Sequence, residues 1–155
     1  RKQTAESDYF NLLSVVPVSI SYEKDPNDIL KAKELFTLSS NNEYLKDERE
    51  DLKSIADGVI GQKGNVHLSI GSPLQFNNDA DYEQISNVIT SEIKSSYKLH
   101  STNIAACRMQ GIDSQSNDFT EEEINNSIKY LEDRMHAIDD DMQKFFLAQY
   151  SNPVL

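Results

Sequence analysis

Two short segments alternate apolar and polar residues with the period of a β-strand. The first, Ser14–Tyr22, places an apolar side chain at every second position from Val16 onward, and the second, Asn65–Ile70, follows the same pattern. Such alternation gives each strand one apolar face. We therefore expect two half-buried strands in one sheet. Pro17 has no amide hydrogen to donate, so it marks a strand end, an edge or a bulge.

The remaining apolar residues recur at the spacing of amphipathic helices, which predicts a mainly helical chain. Most of these helices have a recognisable start signal, because Asp, Ser and Thr side chains accept hydrogen bonds from free amides at helix N-termini. Gly58, Gly61 and Gly64 follow one of the helices and indicate a helix end and a turn rather than a phosphate-binding loop. The predicted starts lie at Asp25-Pro26, near Asp47, at Asp79, at Ser101 or Thr102, and at the Thr120–Glu123 capping box.

Two of the predicted helices carry apolar stripes that are too wide to leave in water. The helix after Thr120 and the long helix after Asp79 each have four apolar residues on one side. We expect these two helices to pack against each other. The two stripes are Ile124, Ile128, Leu131 and Met135, and Ile85, Val88, Ile89 and Ile93.

Charge and composition narrow the class of partner. The chain carries 26 acidic and 15 basic residues, a formal net charge of -11. An acidic surface repels phosphate backbones and anionic head groups, which argues against nucleic-acid binding and electrostatic docking on a membrane. The single cysteine, Cys107, lies in an apolar helical run, which favours a packing role and leaves no internal disulfide. No apolar stretch is long enough for a membrane span.

Two short motifs match chemical signatures but lack the context that the chemistry needs. His136 and Asp141 have a charge-relay spacing, yet five residues along a helix place two side chains about 140° apart, on different faces. Gly111–Ser114 matches the serine motif of acyl carrier proteins, yet a polar loop follows where a helix should start, so we expect an ordinary turn. We therefore expect no catalytic residue, no metal ligand set and no cofactor in this chain.

Two sequence blocks resemble the membrane-associated glycerol-phosphate acyltransferases. The first, Ser14–Glu23, contains the triplet Val16, Pro17 and Val18 and ends in Tyr-Glu, which is similar to the fourth block of that family. The second, Lys63–Leu74, is similar to the final strand of the family, with Lys-Gly, alternating apolar residues and then Gly-Ser-Pro. The order and separation of the blocks also fit. The helical second half is similar to the extension that follows the catalytic core in bacterial members.

The resemblance implies transfer of an acyl chain from acyl-CoA or acyl carrier protein to the hydroxyl of a glycerol-phosphate-type acceptor, in bacterial phospholipid synthesis. In the family, a His-x-x-x-x-Asp pair supplies the base and a Glu-Gly-x-Arg-type block binds the phosphate. Both precede the Val-Pro block, and this sequence begins just before it, which implies a C-terminal portion that is inactive alone. Only Val16, Pro17 and Val18 are then implied as substrate-binding residues, because their block shapes the acyl-donor and glycerol site.

For the full-length protein, the resemblance also implies a peripheral location on the cytoplasmic side of the inner membrane, with membrane contact through the missing N-terminal part. The portion in hand is expected to be soluble. Its predicted fold class is α/β, or α+β within the fragment, mainly helical with a small sheet that is the remnant of the acyltransferase core sheet. Residues 1–76 would form the C-terminal part of that core, and residues 77–155 a helical C-terminal extension. The alternative is a small acidic helical interaction or regulatory module with no catalytic activity, whose strands match the family by chance.

Overall fold

The computed structural model describes residues 6–41, 43–47, 49–114 and 118–155. Over these residues the chain is mainly helical and contains a two-stranded antiparallel sheet, which confirms the predicted combination of helices with a small sheet. The elements are α1 (Glu6–Leu13), β1 (Val18–Tyr22), α2 (Asp28–Asn41), α3 (Glu50–Ile60), β2 (Val66–Ile70), α4 (Tyr82–Ser96), α5 (Ser101–Met109), α6 (Glu121–Met135), α7 (Asp140–Ser151) and a closing 3-10 turn (Asn152–Val154).

The chain divides into two compact units that interleave along the sequence. Unit 1 combines the described residues up to Ser21 with Val66–Lys98, and unit 2 combines Tyr22–Asn65 with Leu99–Leu155. The boundary that the sequence suggests at residue 76 separates an enzyme core from an extension, so it is not the same kind of division as these compact units. That boundary stays a prediction.

Unit 1 contains the strand pair, α1 and α4. The predicted pairing of the strands is confirmed, since β1 and β2 lie side by side and the Gly71 amide donates to the Pro17 carbonyl oxygen at 2.9 Å. The helix α1 has no counterpart among the predicted elements. Its Asn11 side chain donates to the Phe76 carbonyl oxygen at 2.9 Å and accepts from the Phe76 amide at 2.8 Å. This two-way bond ties α1 to the segment that leads into α4.

The burial of the strand pair differs from the expectation. Ser19 and Ser21 are buried, whereas Val18 and Ile20 on the opposite face of β1 are exposed. Alternation assigns side chains to two faces, but it does not say which face the rest of the chain covers. The expectation that the apolar face is the covered one is therefore wrong for this pair.

Unit 2 is a helical layer built around α5. All side chains from Ser101 to Cys107 are buried, because α5 contacts both α6 and α7. The prediction that Cys107 has a buried, helical position is confirmed. The core continues through Leu131 of α6 and Phe146 of α7, both fully buried.

The apolar stripe of α6 packs within unit 2. Ile124 and Leu131 are buried and Ile128 is half-buried, in the cluster that contains the α5 and α7 side chains. The predicted partner, the helix that carries Ile85, is α4 and belongs to unit 1. The stripe was therefore correctly predicted to be buried. The helix that covers it was not correctly predicted, because periodicity identifies an apolar face without identifying what covers it.

Helix starts are the local detail that the sequence predicts best. The Thr120 capping box is present, with the Glu123 amide donating to the Thr120 hydroxyl and the Glu123 carboxylate accepting from the Thr120 amide. Other starts move by a few residues. Asp81 rather than Asp79 caps α4, and α2 begins at Asp28, after a turn in which Asp25 accepts from the amide two residues later.

Candidate functional site

The three residues predicted to bind substrate lie at the start of β1, in unit 1. Pro17 is buried, whereas Val16 and Val18 are 40% and 46% exposed. Pro17 precedes the strand, as its missing amide hydrogen requires, and its carbonyl oxygen accepts the first ladder bond from Gly71. The triplet therefore presents one buried anchor and two accessible aliphatic side chains.

Gly71 is held against the Pro17 ring. A Cβ atom at Gly71 would lie 2.8 Å from Pro17 Cγ, a distance that real Cβ atoms do not tolerate. The Gly-Ser-Pro turn of the second block is thus in van der Waals contact with the Val-Pro-Val triplet of the first block. The structure brings together the two blocks that sequence analysis singled out separately.

An exposed apolar face extends from this contact along the sheet. In the antiparallel register, residues of β1 stand directly opposite residues of β2, so their outward side chains form one surface. We call this surface the outer face. All of its members are at least 46% exposed, which is unusual for a contiguous group of large aliphatic side chains. The outer face consists of Val18, Ile20, Val66, Leu68 and Ile70.

Unit 2 contains a groove of about 690 Å³ that the sequence did not predict. Its walls come from the start of α2, from one side of α3 and from α6. Pro26, Ile29, Leu30 and Ile60 supply apolar surface. Five charged residues, namely Lys24, Lys53, Arg134, Asp25 and Asp57, also line the groove.

A buried carboxylate fixes one wall of the groove. Asp28 is completely buried, and it forms an ion pair with Arg134 and accepts a hydrogen bond from the Tyr150 hydroxyl at 2.8 Å. The same hydroxyl accepts from the Asp25 amide at 3.1 Å. Through these bonds, the turn that leads into α2 is held to α6 and α7. A buried carboxylate requires such partners, because an unpaired buried charge is costly.

The network also shifts the ionisation of its members. Burial, followed by the charge of Asp28, raises the pKa of the Tyr150 hydroxyl well above its ordinary value. The hydrogen bond to Asp28 raises the pKa of Arg134, and burial raises the pKa of Tyr130. Both tyrosines therefore stay neutral and Arg134 stays charged over the physiological range. The network can orient a ligand, but these groups are poor proton donors or acceptors near neutral pH.

The turn between β1 and α2 is anchored a second time through Glu23. Its carboxylate accepts from the amide and the side chain of Asn65, at 2.8 and 2.9 Å, and its carbonyl oxygen accepts from the Thr102 hydroxyl at 2.6 Å. Gly64, just before Asn65, has φ +62° and leaves no space for a Cβ beside the Glu23 side chain. The Tyr-Glu end of the first block thus positions Lys24, the next residue, at the groove.

The charge-relay candidates are not assembled into a site. His136 ends α6 and Asp141 lies in the first turn of α7, and both side chains are exposed. Of the acyl-carrier-like motif, Gly111 occupies a turn with φ +69° after α5, and residues 115–117 lie outside the described residues. Over the described ranges, no three His, Cys, Asp or Glu side chains are grouped to hold a metal ion.

Sequence reasoning missed the groove because its residues are far apart in the chain. A local signal was nevertheless present. Lys53, Asp57 and Ile60 recur at the spacing of one helical face, and so do Tyr130 and Arg134 on another helix. That spacing identifies, on each of the two helices, a face that carries both polar and apolar side chains. It does not show that the two faces line the same groove.

No protein-family model, curated protein or solved structure matches this chain. Among the described helices, none combines the length and the apolar character needed to cross a lipid bilayer. The functional interpretation therefore rests on residues, contacts and charges.

Proposed function

We propose that this chain is the C-terminal part of a glycerolipid acyltransferase, which moves an acyl chain from acyl-CoA or acyl carrier protein to a glycerol-phosphate-type hydroxyl. The observation that carries this proposal is the contact between Pro17 and Gly71. Each residue belongs to one of the two blocks that resemble the family, and their backbones are hydrogen-bonded at 2.9 Å.

The outer face gives independent support. A strand pair with one exposed aliphatic face is what part of a larger α/β sheet presents when a further layer is absent, since the sheets of such proteins are covered on both faces. Val18 and Leu68, for example, are 46% and 55% exposed. The missing cover would come from the acyltransferase core that contains the catalytic residues.

In the proposed enzyme, this chain contributes shape rather than bond making. Val16 and Val18 would line the acyl-donor and glycerol site, and Pro17 would hold them in place through its buried ring and its bond to Gly71. The His-Asp base and the phosphate-binding block would come from the preceding core. Positioned acid–base groups and an electrostatic clamp supply most of the rate of such a reaction.

The test uses the protein produced from the complete reading frame that contains this sequence. We expect it to transfer a labelled acyl chain from acyl-CoA or acyl carrier protein to glycerol 3-phosphate or to its monoacyl ester. Gly71→Val should lower this transfer, because the added side chain would collide with Pro17. Ser72→Val is the matched control, since Ser72 is exposed and the same residue is introduced.

Two results would contradict the proposal. One is folded full-length protein that transfers no acyl chain from either donor to either acceptor. The other is full activity in Gly71→Val, which would separate the Pro17–Gly71 contact from the reaction. The first result would favour the alternative of a non-catalytic interaction module.

A further inference from the structure

We propose that the groove of unit 2 binds a phosphate monoester whose organic part is apolar or aromatic. The groove lies entirely within unit 2, whereas the proposed acyl site involves Val16, Pro17 and Val18 of unit 1. The proposal therefore does not rest on the acyltransferase function. Its test measures binding to this chain, so the two can fail separately.

The size and walls of the groove suit a small organic ligand. Its volume of about 690 Å³ falls within the range of about 300–1,000 Å³ that is typical of ligand pockets. Among the lining residues, Lys53 and Ile60 project from the same face of α3, and Ile29 and Leu30 lie in the first turn of α2. An alkyl chain or a base ring bound in the groove would bury apolar surface of the isoleucine and leucine side chains.

Lys24, Tyr130 and Arg134 all line the groove. The Lys24 ammonium lies 4.7 Å from the centroid of the Tyr130 ring. Arg134 follows Tyr130 by one helical turn, so both side chains project from the same side of α6. The lining of the groove thus contains two cations and an aromatic ring.

The Arg134 guanidinium is already held in place. Its Nε and Nη2 groups bond the buried Asp28 carboxylate, and its Nη1 group makes no hydrogen bond to any residue that the structure describes. The side chain is 32% exposed. Nη1 is therefore available to a ligand at little cost in conformational entropy, because the ion pair has fixed the guanidinium plane.

The groove has proportionally more basic side chains than the rest of the chain. Acidic residues outnumber basic ones 26 to 15 in the whole chain. In the groove, Lys24, Lys53 and Arg134 stand beside Asp25 and Asp57, and Asp28 pairs with Arg134. Asp25 is partly satisfied, since it accepts the Asn27 amide at 2.9 Å. A phosphate monoester fits this arrangement, because its doubly charged head has three oxygens that can accept from an ammonium and a guanidinium at once.

The test titrates this chain with four probes while amide chemical shifts are recorded. The probes are hexyl phosphate, AMP, inorganic phosphate and hexanol. We expect saturable binding of hexyl phosphate or AMP with shifts at groove residues, and weaker binding of inorganic phosphate and hexanol, which each lack one half of the ligand. Tighter binding of AMP would identify a nucleotide, and tighter binding of hexyl phosphate a lipid phosphate. Both outcomes support the site.

Two variants locate the binding. Lys53→Ala and Arg134→Lys should each weaken binding of the better monoester about tenfold, the effect expected from losing one charge-assisted contact. Arg134→Lys keeps a positive charge beside Asp28, and Lys53 is exposed on α3, so both variants should fold, which circular dichroism verifies. Lys33→Ala is the matched control, because Lys33 is an exposed helical lysine outside the groove.

Three results would overturn the site. The first is the absence of saturable binding of either monoester up to about 5 mM, a concentration that detects even millimolar affinity. The second is hexanol binding as tightly as hexyl phosphate, which would make the groove merely apolar. The third is equal weakening by Lys33→Ala and Lys53→Ala, which would indicate non-specific attraction to positive charge.

Discussion

Asp28 is a buried carboxylate whose charge must be stabilised by neighbouring side chains. Its carboxylate is completely buried and depends on Arg134 and the Tyr150 hydroxyl. Arg134→Met would leave this charge without its counter-ion. We expect the free energy of unfolding to fall by about 3 kcal/mol, measured by urea denaturation.

Two further variants test this explanation. Asp28→Asn combined with Arg134→Met should recover much of the loss, because the charge and its counter-ion are removed together. Arg108→Met should have little effect, since the ion pair between Arg108 and Glu121 is exposed to solvent. Equal losses in Arg108→Met and Arg134→Met would show that burial of the pair is not what matters.

Tyr150 makes stability depend on pH in the alkaline range. Because its pKa is raised in the folded state, folded protein keeps a proton that the unfolded chain loses at about pH 10. The stabilising contribution is therefore complete below about pH 10 and declines above it, by up to about 1.4 kcal/mol per pH unit for one tyrosine. Urea denaturation between about pH 8 and about pH 11 measures this slope.

The variant Tyr150→Phe tests whether Tyr150 causes this decline of stability with pH. It should make the decline above pH 10 shallower without removing it. Part of the decline remains because burial also raises the pKa of Tyr130, and because the hydrogen bond to Glu50 raises the pKa of Tyr44 to about 12. An unchanged slope in Tyr150→Phe would mean that the alkaline sensitivity originates elsewhere.

Among the elements, α6 has the side chain that best tests core packing in unit 2. Leu131 is fully buried in the cluster with α5 and α7. Leu131→Ala should lower the free energy of unfolding by about 2–5 kcal/mol. The thermal midpoint should fall equally at several protein concentrations, since the contacts are within one chain. Leu52→Ala on α3 is the matched control, because Leu52 is 71% exposed.

For the outer face, in contrast to Leu131, we expect substitutions to leave the stability of this chain unchanged. Ile20 and Leu68 are 48% and 55% exposed, so replacing both by Thr removes apolar surface that contacts water. Thr keeps a high strand propensity. We expect unchanged stability of this chain and reduced fluorescence of a dye that binds apolar surface. In the full-length protein, the same change should be destabilising if the proposed acyltransferase core covers the face.

The elements also show where sequence reasoning succeeds and where it fails. The Thr120 capping box is correct because all its atoms come from four consecutive residues. The strand pair is correct because both strands carry the same alternation. Which face of the pair is covered, and which helix meets Leu131, depend on residues distant in the chain. A periodic pattern contains no information on those distant partners.

At the scale of the whole molecule, we expect no acyl transfer by this chain alone with acyl-CoA or acyl carrier protein and a glycerol-phosphate acceptor. His136 and Asp141, the only pair with a charge-relay spacing that we identified, are exposed on different helices. A radiochemical assay with the full-length protein as positive control measures this. Transfer that disappears in His136→Ala would refute the expectation and return the pair to consideration.

One candidate site could be predicted from the sequence and the other could not. Val16, Pro17 and Val18 could be selected from the sequence because they are contiguous and belong to a block that resembles a family. The groove could not, since Lys24, Lys53 and Arg134 become neighbours only when α2, α3 and α6 assemble. Contiguous sites are visible in a sequence, whereas assembled sites require the fold.

The discontinuity of unit 1 determines the order in which the molecule can form. During synthesis, β1 emerges with Val18 and Ile20 before β2 exists, because all of residues 23–65 must be made first. Closing so long a loop costs conformational entropy, and non-local strand pairing is slow. The nascent chain therefore carries an unpaired apolar strand for an extended interval. Such a strand is where a chaperone would bind and where aggregation would begin.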